Sequence, residues 1–124
     1  MTTEEPQAIA DYLADVEPDK RRLIEDYYSR VPGLVPDAVV GRSYAMPAYL
    51  YRGKGLVSVM ATRTGVSVIP FSGSVAHQLP GVDTSEKAGS IHVDLADPLP
   101  VDVFEQVVRL RRAEIDASSA GGRR

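Results

Sequence analysis

Apolar residues Ile9, Tyr12, Leu13 and Val16 recur at helical spacing and predict an amphipathic helix over residues 4–16. Pro6 suits its first turn, and Glu4 and Glu5 suit the positive end of its dipole. Glu17-Pro18-Asp19 ends that helix and opens a second one, whose apolar face is Leu23, Ile24, Tyr27, Tyr28 and Val31 and whose stop is Pro32-Gly33. So short a link predicts an antiparallel pair. Past residue 38 the period changes to two. Strands are expected over 39–45, 48–51, 56–61 and 66–70, joined by Arg52-Gly53-Lys54-Gly55 and Thr62-Arg63-Thr64-Gly65. Pro47 has no backbone donor and so marks a strand end, an edge or a bulge. Loops this short make the strands antiparallel neighbours.

A short helix is expected over 71–79 and a polar loop over 80–87. A fifth strand over 89–95 would turn Ile91, Val93 and Leu95 inward and Ser90, His92 and Asp94 outward, as in a sheet covered on one face. Asp97-Pro98-Leu99-Pro100 is a stiff entry to a last helix over 101–116, with Val103, Phe104, Val107, Val108 and Arg111 on one side. Residues 117–124 are small and polar and predict a disordered tail. The fold class expected is α+β. It is a single domain over 4–116 with two layers: an antiparallel sheet of about five strands, with the N-terminal helix pair and the C-terminal helix on one face.

Composition narrows the chemistry. The chain has 124 residues, 44% hydrophobic and 25% charged, which is enough for one real core. It has no cysteine, so disulfides, zinc-thiolate sites, iron–sulfur ligation and a thiol nucleophile are excluded. A net charge of −3 argues against nucleic acid as a partner. Lys20-Arg21-Arg22 and the cations of 109–112 read as solvated helix faces. The acidic start lacks the pattern of a signal peptide, and no apolar run approaches a membrane span, so a cytoplasmic protein is expected.

Three sets of residues could carry chemistry. Glu4, Asp11 and Asp15 fall on one stripe of the expected first helix, where carboxylates on successive turns could hold a hard cation such as iron. His92 and Asp94, two apart on one strand face, could add to such a site, and His77 is the other histidine. Tyr44, Met46, Tyr49 and Tyr51, beside Arg42, Arg52 and Lys54, could line a pocket for a small anion. The competing account of each set is structural: solvated charges, surface histidines, and aromatic packing next to a turn. No nucleophile elbow, ordered triad or glycine-rich phosphate cradle is present, so the residues favour a non-catalytic protein. A face bearing Ser90, His92 and Asp94 would also suit pairing of two copies as a homodimer scaffold.

Three blocks carry a resemblance. They are Ser43-Tyr44-Ala45-Met46-Pro47-Ala48-Tyr49, then Tyr51-Arg52-Gly53-Lys54-Gly55-Leu56-Val57, then Gly89-Ser90-Ile91-His92-Val93-Asp94-Leu95-Ala96-Asp97-Pro98-Leu99-Pro100. With the order of elements, they make the chain resemble the bacterial DUF1801, or YdhG-like, family, some members of which are described as frataxin-like intracellular iron chaperones. The chain departs from the family pattern where Ala45 replaces a glycine, where Arg63-Thr64-Gly65 replaces a segment that often carries Asn-His, and where His92 replaces an arginine. The resemblance implies a YdhG-like fold, weak iron binding by surface carboxylates, and iron–sulfur or haem assembly proteins as partners. It supplies no catalytic residue.

Overall fold

A computed structural model describes residues 2–84 and 89–121. In chain order the described residues form β1 (Thr2–Glu4), α1 (Ala8–Leu13), α2 (Pro18–Ser29), α3 (Val31–Leu34), β2 (Val39–Ser43), β3 (Met46–Tyr51), β4 (Lys54–Ala61), β5 (Gly65–Ile69), α4 (Gly73–His77), β6 (Ile91–Asp94) and α5 (Val101–Gly121). The strands make one sheet in the order β1-β2-β3-β4-β5-β6, every neighbour antiparallel. The α+β class and the antiparallel sheet are as expected, with six strands in place of about five.

Two tight turns set the registers on either side of β3. Ser43 faces Met46 across Tyr44-Ala45, and Tyr51 faces Lys54 across Arg52-Gly53. The φ values are +52° and +67° in the first turn and +52° and +75° in the second. Two consecutive left-handed residues are the signature of the type I′ hairpin, whose twist matches that of the strands. Ala45 thus occupies a backbone position that glycine fills without strain.

The main core lies between the sheet and the helices. Ile24, Tyr27, Tyr28 and Val31 meet Leu56, Val57, Val59, Val66 and Val68 from the strands and Phe104, Val107, Val108 and Ile115 from α5. Tyr27 stacks on Phe104 at 4.7 Å, and its hydroxyl donates to Leu99 O at 2.8 Å. The opposite face is not bare. Ala48 and Leu50 are buried outside that cluster. Leu50 is paired with Gly55, where an added Cβ would lie 2.6 Å from the Phe71 ring. Phe71 therefore lies directly on the β4 backbone, and Tyr44 stacks against Phe71 at 6.2 Å.

The β3–β4 ladder opens at Pro47. Pairing ends at Tyr49↔Val57, with a register shift between Tyr49 and Leu50. The proline has no N–H to give there, and side chains of the helices and of β4 supply substitutes. Val59 N donates to Tyr28 Oη at 2.7 Å, while that hydroxyl lies 3.3 Å from both Pro47 O and Val59 O. Ser58 Oγ donates to Pro47 O at 2.6 Å, and Ala61 N donates to Tyr12 Oη at 2.8 Å. Side chains thus satisfy backbone groups that would otherwise be buried without partners.

Several boundaries differ from the sequence expectation. Residues 2–4 pair with β2, so Glu4 lies on a strand and α1 is confined to Ala8–Leu13. An acid followed by proline ends a strand as well as it begins a helix, and only the distant partner strand decides between them. Pro32-Gly33 lies inside α3 instead of stopping the helix. The last helix runs to Gly121, past the expected end at Asp116, because Ala117-Ser118-Ser119-Ala120 contains no breaker. Residues 85–88 of the expected polar loop and residues 122–124 of the expected tail lie outside the described residues. Ser90 is buried and His92 half-buried, contrary to an open outward face, and His92 N donates to Asp83 O at 2.7 Å, which lays that loop along the outer edge of β6.

Candidate functional site

α1 packs on β2 and β3, whereas α2 packs on β4 and β5. The two helices therefore rest on different parts of a twisted sheet, and a cleft of about 540 Å³ opens between them. Its apolar wall is Pro6, Ile9, Leu13 and Val40, with the small residues Ala10 and Ala14 leaving room on α1. Tyr49 of β3 and Tyr28 of α2 form the aromatic side, their rings 5.7 Å apart. Arg21 and Glu25 of α2 supply the charges.

The Tyr28 hydroxyl is engaged by the backbone behind it, but the other polar groups of the cleft are uncommitted. Among the described residues, the Tyr49 hydroxyl makes no hydrogen bond, and Arg21 has no carboxylate within ion-pair distance. Its neighbours do. Lys20 pairs with Glu17 at 2.9 Å, Arg22 with Asp19 at 2.6 Å, and Arg30 with Asp26 at 3.3 Å. Burial raises the Tyr49 pKa above the ordinary phenol value, which keeps the group a neutral hydroxyl able to donate or accept. Burial likewise pushes Tyr28 up to about 12, although its hydrogen bonds act in the other direction.

Of the residues singled out from the sequence, the cleft takes in Tyr49. Tyr44 is 72% exposed at the hairpin tip, and Met46 is half-buried opposite Ser43 at the start of β3. Arg52 lies over the Tyr51 ring at 5.6 Å and 3.6 Å from Asp116, and Lys54 is exposed at the start of β4. Arg42 pairs with Glu5 at 2.6 Å. These cations hold structure or face solvent and do not converge on a pocket. The sequence did not single out Arg21, Glu25 or the α1 wall. The available signal was that Arg21, Glu25 and Tyr28 lie at i, i+4 and i+7, one stripe running from charge into the core.

The acidic stripe does not form as expected. Glu4 is on β1, away from the helix that carries Asp11, and Asp15 lies beyond the end of α1 beside Tyr12 and Lys20. His92 Nε2 is 3.4 Å from Asp94 Oδ1 and 3.5 Å from Thr64 Oγ1, in a hollow of about 200 Å³ that Asp83 and Asp97 also line. Among the described residues no three His, Asp or Glu side chains converge as a metal site would need. His77 lies apart, on α4.

A second polar cluster is closed on itself. Glu114 accepts from Ser74 at 2.6 Å, from Ser72 at 2.9 Å and from Arg111 at 2.7 Å, while Arg111 Nε donates to Gly55 O at 3.0 Å. Burial raises the Glu114 pKa, but the hydrogen bonds from Ser74, Ser72 and Arg111 outweigh it and hold the carboxyl below its usual range. The cluster fastens α5 to β4 and to the start of α4. No helix among the described residues is long and apolar enough to cross a membrane.

The chain matches no protein-family profile and no curated protein. Among solved structures it superposes on a crystal structure of a DUF1801 family protein, YdhG of Bacillus subtilis, with a TM-score of 0.75 over 89% of this chain and 92% of that one. The two share a fold. At 14% identity the YdhG likeness covers the course of the backbone and the order of the elements. The side chains of the cleft have to be judged on their own chemistry.

Proposed function

We propose that the protein is a binding module that takes a small amphipathic anion in the cleft between α1, α2 and Tyr49. The observation that carries this reading is the Arg21 guanidinium, unpaired on a helix whose other cations are paired, at the edge of an apolar hollow. The hollow is within the size range of small-molecule sites, which combine apolar walls with a few polar groups. A carboxylate on Arg21 would gain a charge-assisted hydrogen bond, and Tyr49 would orient the ligand through its free hydroxyl.

The test is a titration with 3-phenylpropionate followed by amide shifts. Saturable shifts at Ala10, Glu25 and Tyr49 are expected. Arg21→Ala should weaken binding about tenfold, in line with the loss of roughly 1.5 kcal/mol for a hydrogen bond to a charged group. Its melting temperature should barely move. Lys54→Ala, away from the cleft, should leave the affinity unchanged. Equal affinity in Arg21→Ala and the unmodified protein would refute the proposal.

A further inference from the structure

Arg21 and Glu25 are one helical turn apart on α2, and both line the cleft. At that spacing opposite charges ordinarily meet, yet neither has an ion-pair partner among the described residues. The paired charges on α2 follow another rule. Glu17 precedes Lys20, Asp19 precedes Arg22, and Asp26 precedes Arg30. The acid comes first in each, which is the order the helix dipole favours. In the Arg21–Glu25 pair the base comes first, the weaker order, so the two have less to lose by turning to a third group.

We infer that the cleft takes a zwitterion, a free α-amino acid with a large apolar side chain, its carboxylate on Arg21 and its ammonium on Glu25. This rests on the cleft being the binding site and goes beyond it by fixing the ligand's head group. The ligand's own charges are as close together as one turn of helix requires, so one head group can answer both residues. The apolar side chain then lies along Ile9, Leu13 and Val40, in the room that Ala10 and Ala14 leave. A simple carboxylate would satisfy Arg21 and leave Glu25 facing an uncharged atom. A simple amine would face Arg21 with the wrong sign.

L-Phenylalanine, 3-phenylpropionate and phenethylamine share a ring and differ in the head group, so they separate these cases. Calorimetric titration of the full chain should rank phenylalanine about fivefold above 3-phenylpropionate, the size expected of one exposed ion pair. Phenethylamine should be weakest. Glu25→Gln should lower the affinity for phenylalanine and erase its preference over 3-phenylpropionate, whose own affinity should rise slightly as the like charge beside its carboxylate is removed. Equal binding of the two acids to the unmodified protein, or a preference that survives Glu25→Gln, would overturn the zwitterion and leave the anion site standing. If neither acid binds in a way that depends on Arg21, the cleft reading fails, and the zwitterion with it.

Discussion

Tyr28 and Tyr49 have rings 5.7 Å apart, yet they belong to regions built on opposite terms. At the opening between β3 and β4, the Tyr28 and Ser58 hydroxyls are engaged with backbone groups that the ladder leaves over. The Tyr28 hydroxyl accepts from Val59 N and lies between two carbonyls, and Ser58 covers Pro47 O. In the cleft beside it, the Tyr49 hydroxyl and the Arg21 guanidinium have no partner among the described residues. A buried polar group left unmatched is costly, so the first region explains itself as structure. The second, partly open to solvent, holds polar groups for which the fold has no use. The lesson is that a tyrosine's role here follows from where its hydroxyl goes, not from how buried its ring is.

The most severe way to break this contrast is Tyr28→Phe. It strands Val59 N in a buried place and should cost about 1–3 kcal/mol, measured as a lower midpoint in urea denaturation. The same residue gives an alkaline signature. Its folded pKa, about 12, lies above the ordinary phenol value of 10.0, so its contribution is full below pH 10 and is lost as the pH rises toward 12. Tyr28→Phe should flatten part of that alkaline decline, the rest belonging to Tyr27, which burial also raises to about 12. A variant as stable as the parent would mean that the opening is sealed without the phenol.

Glu114→Gln comes next, as a second fully engaged group. Because the folded pKa is lowered, the carboxylate stabilises the fold above its unfolded pKa, and that benefit vanishes as the pH falls through the folded value. The variant should therefore trail the parent at neutral pH and converge with it in acid, as thermal melts across pH would reveal. Tyr49→Phe should change stability by less than about 0.5 kcal/mol, since no bond within the protein is lost, while lowering affinity for 3-phenylpropionate. A stability loss as large as that of Tyr28→Phe would erase the distinction between the two regions. The smallest effect is expected from Ala45→Gly, which relieves a left-handed alanine worth about 1 kcal/mol but frees the unfolded chain by a similar amount. A slight net gain in melting temperature is the expected result.

Much of the sheet was legible because its signals are local. Arg52-Gly53 announces a turn, Val57, Val59 and Ala61 alternate, and Pro47 marks the place where the ladder fails. The first strand was not legible, because Thr2–Glu4 is a strand only by virtue of β2, more than thirty residues on. Of the cleft, Tyr49 could be picked out from its aromatic run. Arg21 could not, since it stands between Lys20 and Arg22, and all three look alike as a basic cluster. Only the folded chain separates the two that find acidic partners from the one that does not.

The strands of the sheet succeed one another in space in the order in which they are synthesised. A growing chain can therefore add each ribbon to the one before it, with helices intervening only between β1 and β2 and between β5 and β6. α5 follows the sheet in chain order, bringing Phe104, Val107, Val108 and Ile115 to a core already half assembled. A ribosome that stalls before Val101 would release a sheet with an oily flank uncovered, a natural target for chaperones and proteases. Docking of α5 is thus the step that closes the main core over the sheet.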